Sequence, residues 1–125
     1  MDAVAIYFRG ASVSQTEEVA AKHGIPGQES VFLRAYDDWV AETSEEELHK
    51  IQNALGGNPT CAVLIESRYG ACARVALELA THLMKDLAPA VLDDDFGGLW
   101  SSDEVLDSLA ASRDNTIFSL REAHG

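Results

Sequence analysis

Between Asn58-Pro59 and Glu66 the chain runs Cys61-Ala62-Val63-Leu64-Ile65, an unbroken apolar stretch. A strand with one wet face alternates apolar and polar residues, so a short continuous run belongs to a strand covered on both sides, in the interior of a sheet. Gly70 then opens a segment in which Cys72, Val75, Ala76, Leu79, Ala80 and Leu83 recur at three- and four-residue spacing, the pattern of one helical face. An interior strand followed by such a helix commits this part of the chain to a sheet with helices packed on it.

The remaining punctuation extends the pattern. Residues 3–8 alternate Val4, Ile6 and Phe8 with Ala3, Ala5 and Tyr7, which reads as a strand covered on both sides or one with a small-residue face. Ser14-Gln15-Thr16-Glu17 has the spacing of a capping box and predicts a first helix on Val19, Ala20 and His23, ending at Gly24. Ile25-Pro26-Gly27 is a turn, and residues 30–36 form a second strand. Residues 37–47 hold six carboxylates, Trp39 and no base, and close on a second capping box, Ser44-Glu45-Glu46-Glu47. A second helix then follows Leu48, Ile51 and Leu55 to Gly56-Gly57. After Pro89, residues 90–92 and Leu99-Trp100 flank the turn chemistry of Asp93-Asp94-Asp95-Phe96-Gly97-Gly98 and predict a β-hairpin. Ser101 to Glu104 is a third capping box, starting a helix on Val105, Leu106 and Leu109. Residues 116–120 suit either a last strand or a helical turn.

At 125 residues and 46% apolar, the chain is expected to form one domain over 1–125. The element order predicts an α+β fold: a ferredoxin-like two-layer sandwich, helices on one face of a mixed or antiparallel sheet, with an inserted acidic helix and a C-terminal hairpin plus helix. The alternative is a small α/β doubly wound parallel sheet.

Nine Lys and Arg against 21 Asp and Glu give a formal charge of −12. Phosphate contacts need cations, so direct binding to nucleic acid or an anionic membrane is not expected, whereas a basic protein partner is. No apolar run approaches the roughly 20 residues of a membrane helix. Residues 1–2 lead into a strand-like segment without a basic stretch or a small-residue cleavage pattern, so the expected location is cytoplasmic. There Cys61 and Cys72 would stay reduced, and their phase with neighbouring apolar residues marks both as core thiols.

Catalytic patterns are weak. The histidines His23, His49, His82 and His124 lack metal-ligand spacing and read as surface residues, and no serine stands in G-x-S-x-G. The glycines make no phosphate loop, so neither enzymatic activity nor a cofactor is expected. The segment 93–104 partly matches a calcium loop, with Asp93, Asp95, Gly98 and Glu104 at its first, third, sixth and twelfth positions. Gly97 removes the fifth ligand, and a strand stands where a helix should enter, so turn and cap chemistry explains the same residues without metal.

What remains is acid interleaved with tryptophan: Asp37, Asp38, Trp39, Glu42, Glu45 and Glu46 in one patch, and Asp94, Asp95, Trp100 and Asp103 in another. Tryptophan ringed by carboxylates is the composition of an interface anchor with an electrostatic rim; the alternative is that both tryptophans fill core edges beneath solvated acids. Ile65-Glu66-Ser67-Arg68-Tyr69-Gly70, the alanine-rich helix, and Pro89 to Asp95 running into Leu99-Trp100-Ser101 resemble the small immunity proteins of bacterial polymorphic-toxin systems. The resemblance covers residues 61–109 and implies a cytoplasmic antidote that binds a cognate toxin domain, often a basic nuclease, and occludes its active site. A calcium-responsive module and a small ligand-binding or enzymatic α+β domain are the alternatives, and pairing with a second copy through an uncovered sheet edge is a further expectation.

Overall fold

The alternating segment at the N-terminus becomes β1 (Asp2–Phe8), which is hydrogen-bonded along both edges. A computed structural model describes residues 2–23, 31–36, 38–67, 73–93, 99–101 and 103–105. After β1 come α1 (Val13–Lys22), β2 (Val31–Ala35), α2 (Trp39–Glu42), α3 (Glu45–Leu55), β3 (Cys61–Ser67), α4 (Ala73–Asp86), β4 (Ala90–Asp93) and β5 (Leu99–Trp100). The strands form a five-stranded sheet in the order β2-β3-β1-β4-β5, and every neighbouring pair is antiparallel. The protein is therefore α+β, and the doubly wound parallel alternative is overturned.

Two crossovers generate that order. β1 and β2, joined by α1, are separated by β3; β3 and β4, joined by α4, are separated by β1. The apolar run 61–65 is thus interior, as its composition predicts, and the β4–β5 hairpin forms with Leu92 opposite Trp100. The residues 116–120, whose state the sequence leaves open, lie outside the described residues.

The strand alternation sorts side chains onto two unequal faces. Val4, Ile6 and Phe8 of β1, Cys61, Val63 and Ile65 of β3, Leu92 and Trp100 join Ala20 of α1 and Leu79, Ala80, Leu83 and Met84 of α4 in the main core. Ala5, Tyr7, Ala62 and Val91 point to the other face, where Ile51 and Leu55 of α3 cover them. Helices on one face alone were expected, and the acidic insertion corrects this. Ile51 and Leu55, one turn apart and both buried, need apolar surface, and the second face of β1, β3 and β4 supplies it.

Helix ends follow local chemistry, with one shift. The cap expected at Ser14 is not used: Ser12 caps α1, its Oγ accepting from the Gln15 N–H at 3.3 Å while Gln15 Oε1 accepts from the Ser12 N–H at 2.8 Å. Thr16 and Ala20 face the core on successive turns, and the Thr16 hydroxyl is satisfied by donating to the Val13 carbonyl at 2.6 Å. Ser44 caps α3 as its spacing predicts, accepting from Glu47 N–H at 3.2 Å.

α3 ends on Gly56, whose φ of +75° is the left-handed conformation that closes helices cheaply only with glycine. Arg9 lies over this end, its Nη1 donating to the Leu55 carbonyl at 3.4 Å, where a cation also suits the helix dipole. Gly56→Ala is expected to cost about 1 kcal/mol, read as a lower urea midpoint with an unchanged slope. The flexible Arg9 tip 3.3 Å from the new Cβ can retreat, so a much larger loss would show that Arg9 is held in place.

Candidate functional site

The second face of the sheet is built from narrow residues near its centre. Ala5 of β1 stands between Leu64 of β3 and Asp93 of β4, its cross-strand partners, and Asp93 is in turn paired with Leu99 of β5. α3 approaches this face through its second half only, so its acidic first turn stays in solvent. Between that turn, α2 and the sheet a cleft of about 470 Å³ remains. Its floor is Ala5, Tyr7, Leu64 and Leu99, Tyr36 and Ile51 form walls, and Glu42, Thr43, Glu47, Lys50 and Asp93 carry its polar groups.

Two aromatic contacts hold the insertion over this cleft. Trp39 meets Tyr7 edge to face, with ring centroids 6.0 Å apart and planes at 82°. The Tyr36 hydroxyl donates to the Glu42 carboxylate. Burial first, and the Glu42 hydrogen bond second, push the Tyr36 phenol far above its usual range, so it remains a protonated donor at any physiological pH. Among the described lining residues are three carboxylates and one ammonium, Lys50, whose Nζ lies 3.9 Å from Glu46 Oε1.

The described residues of the first acidic patch lie along α2 and α3. Asp38 precedes α2 and is exposed, Glu42 closes α2, and Glu45 and Glu46 occupy the exposed first turn of α3. Trp39 is half-buried against the second core cluster and works as the foot of the insertion. Asp37, Asp94 and Asp95 lie outside the described residues.

The second patch loses its anchor. Trp100 is 4% exposed and belongs to the main core on the opposite side of the sheet from α3, so it cannot present its ring to a partner. Alternation decides this: Trp100 is registered with Leu92, which points inward, and Leu99 is the residue that faces the cleft. Asp103 is exposed without that aromatic beside it.

Of residues 93–104, 94–98 and 102 lie outside the described residues, and the calcium-loop positions Asp95, Gly97 and Gly98 with them. The strand β4 leads in, the Ser101 N–H donates to Glu104 Oε1 at 3.1 Å, and the Glu104 N–H donates to Ser101 Oγ at 3.2 Å, completing the predicted capping box. Among the described residues no three His, Cys, Asp or Glu side chains converge closely enough to hold a metal ion.

Cys61 is a free, buried thiol whose pKa burial raises, which keeps it protonated and makes it a poor nucleophile. Cys72 lies outside the described residues. The histidines depart from a plain surface reading: His82 of α4 is half-buried and stacks on His23 at the end of α1, with centroids 3.6 Å apart and planes at 9°. His23 Nε2 is 3.5 Å from Asp86. Burial first and His23 second lower the His82 pKa, with Lys85 acting in the same direction and Asp86 and Glu78 opposing it. A folded-state pKa below the unfolded 6.5 means that the unfolded chain binds the proton more readily, so stability is whole above 6.5 and falls as the pH drops through that value. The urea midpoint is expected to decline on acidification from neutrality, and His82→Gln to flatten that decline; an unchanged slope with pH in the variant would assign it to other groups.

Tyr7, Tyr36 and Lys50 were not singled out by the sequence as site residues, Glu47 was read only as part of a capping box, and Asp93 only as the first position of a calcium-like loop. The signal for the cleft floor was present in the small-residue alternative for residues 3–8, and Asp93 shares its face with Val91, two residues earlier. Comparison with family models, with curated proteins and with solved structures finds no match to this chain.

Proposed function

We propose that this chain is a bacterial immunity protein: a non-enzymatic, cytoplasmic antidote that binds a basic toxin domain and covers its active site. The observation that carries the proposal is the placement of Asp38, Glu42, Glu45, Glu46 and Glu47 as exposed carboxylates on the single insertion α2–α3, which is anchored to the sheet by Trp39, Ile51 and Leu55. Such an element presents a rigid negative surface, and a basic partner would be steered to it from a distance. The strand order β2-β3-β1-β4 also suits the ferredoxin-like sandwich expected from the sequence, with α2–α3 inserted between its second and third strands.

A tagged copy of the protein, used to capture partners from its native lysate with and without chelator, tests this directly. The expected result is a basic protein domain retained in both conditions, toxic when expressed alone and harmless when expressed with this chain. A captured protein whose activity is unaffected by binding would overturn the antidote role, and a partner lost on chelation would return attention to residues 93–104. The cleft lends support to a second reading, a small-ligand-binding domain, because its volume and mixed lining are those of ligand pockets.

A further inference from the structure

We propose that the cleft between α2, α3 and the second face of the sheet is a binding site for an organic cation, a guanidinium or alkylammonium group carried on an apolar stem. The proposal does not depend on the antidote role and follows from how the cleft is lined.

Its volume of about 470 Å³ falls within the range of small-molecule pockets, about 300–1,000 Å³. Among the described lining residues Glu42, Glu47 and Asp93 outnumber Lys50, a balance that disfavours an anion. A metal ion is poorly served, because no three acidic or histidine side chains among the described residues converge on one point. The floor has a different chemistry from the rim. Ala5, Leu64 and Leu99 offer apolar surface to an alkyl stem while the charged head reaches the carboxylates, an arrangement that a hydrated inorganic cation gains nothing from.

An aromatic ring completes the match. Tyr36 is half-buried and lines the cleft, and a tyrosine face attracts an organic cation within about 6 Å. The Tyr36 hydroxyl fixes Glu42 by donating to Oε2, and a carboxylate has lone pairs enough for further donors, so Glu42 is oriented without being saturated. A planar guanidinium can bond such a carboxylate through two N–H groups and stack on an aromatic ring, which makes it the better of the two head groups. The cation could be free in solution or the tip of an arginine or lysine on a polypeptide, and the chemistry is the same.

The test is an amide NMR titration of the intact chain with ethylguanidinium, with butylammonium, and with ethylurea as the neutral analogue, all at constant ionic strength. Saturable shifts at Ala5, Tyr7, Leu64 and Leu99 are expected with the two cations, at a Kd on the order of 1 mM for so small a probe, and none with ethylurea. Glu42→Gln and Asp93→Asn, each nearly isosteric, should weaken ethylguanidinium about tenfold, whereas Glu18→Gln, exposed on α1, should leave it unchanged. Non-saturating shifts, an equal response to ethylurea, or indifference to both cleft variants would overturn the proposal. Thermal melts of the two variants keep the outcome interpretable, and either variant alone suffices should the other fail to fold. A capped Ala-Arg-Ala peptide separates the sources: tighter binding than ethylguanidinium marks a polypeptide side chain, and exclusion of the peptide while ethylguanidinium binds marks a free cation. Failure here leaves partner capture untouched, so the two proposals fall separately.

Discussion

Trp100→Ala is expected to cost about 3–5 kcal/mol of folding stability, the range for emptying a large aromatic site in a core. A domain of this size is stable by only about 5–15 kcal/mol, so the variant should be partly unfolded or melt far below the parent. The reason lies in β5, a two-residue strand at the edge of the sheet. Its hold on the fold comes from Trp100, registered opposite Leu92 and packed into the same cluster as Leu83, Met84 and Val105. Removing the ring opens a cavity there and releases the cap-and-helix segment that begins at Ser101. Denaturant unfolding with Trp100→Phe as the conservative partner separates this from an interface role. A core residue makes the alanine variant unstable and the phenylalanine variant nearly normal, whereas an interface anchor would leave both fully stable.

Under the proposed antidote function, reversing charge at Asp38, Glu45 and Glu46 should have its largest effect on the rate of partner association. Three lysines there move the net charge from −12 to −6 and invert the sign of the most exposed part of α2–α3. Electrostatic steering changes association rates by about 10- to 1,000-fold, so stopped-flow binding to the captured basic partner should slow at least tenfold at low salt and lose most of its salt dependence. Dissociation should change less, because rim charges act mainly on encounter. Lysines at Glu17 and Glu18, exposed on α1 at the opposite side of the sheet, supply the control: a comparable change per charge would mean net charge alone is sensed. Unchanged association in the α2–α3 variant would remove this insertion from the interface. Glu45 and Glu46 also sit at the helix N-terminus, where each acid contributes about 0.3–1 kcal/mol, so a modest loss of stability is expected alongside.

The fold was legible where a local pattern had a single physical solution. The apolar run of β3, the alternation of β1, the Ser44 and Ser101 caps and the β4–β5 hairpin all appear as their residues predict. The expected cap failed at α1, where Ser12 and Gln15 complete the capping box in place of Ser14 and Glu17. The candidate site was legible only in its charge. Composition places six carboxylates in residues 37–47, but that Trp100 is buried while Leu99 faces the cleft depends on sheet register, which no single segment contains.

By itself, then, the sequence determined the elements, the acidic character and the absence of a recognisable catalytic motif, because capping, periodicity and charge are properties of a few neighbouring residues. Tertiary structure alone decided three further matters. Antiparallel pairing of β1 with both β3 and β4 interleaved the two crossovers; α3, with one buried stripe to satisfy, settled on the second face; and the narrow Ala5 between Leu64 and Asp93 left space beneath it. Each depends on residues dozens of positions apart meeting across strands, where the free energy of burial, and not local propensity, selects the arrangement.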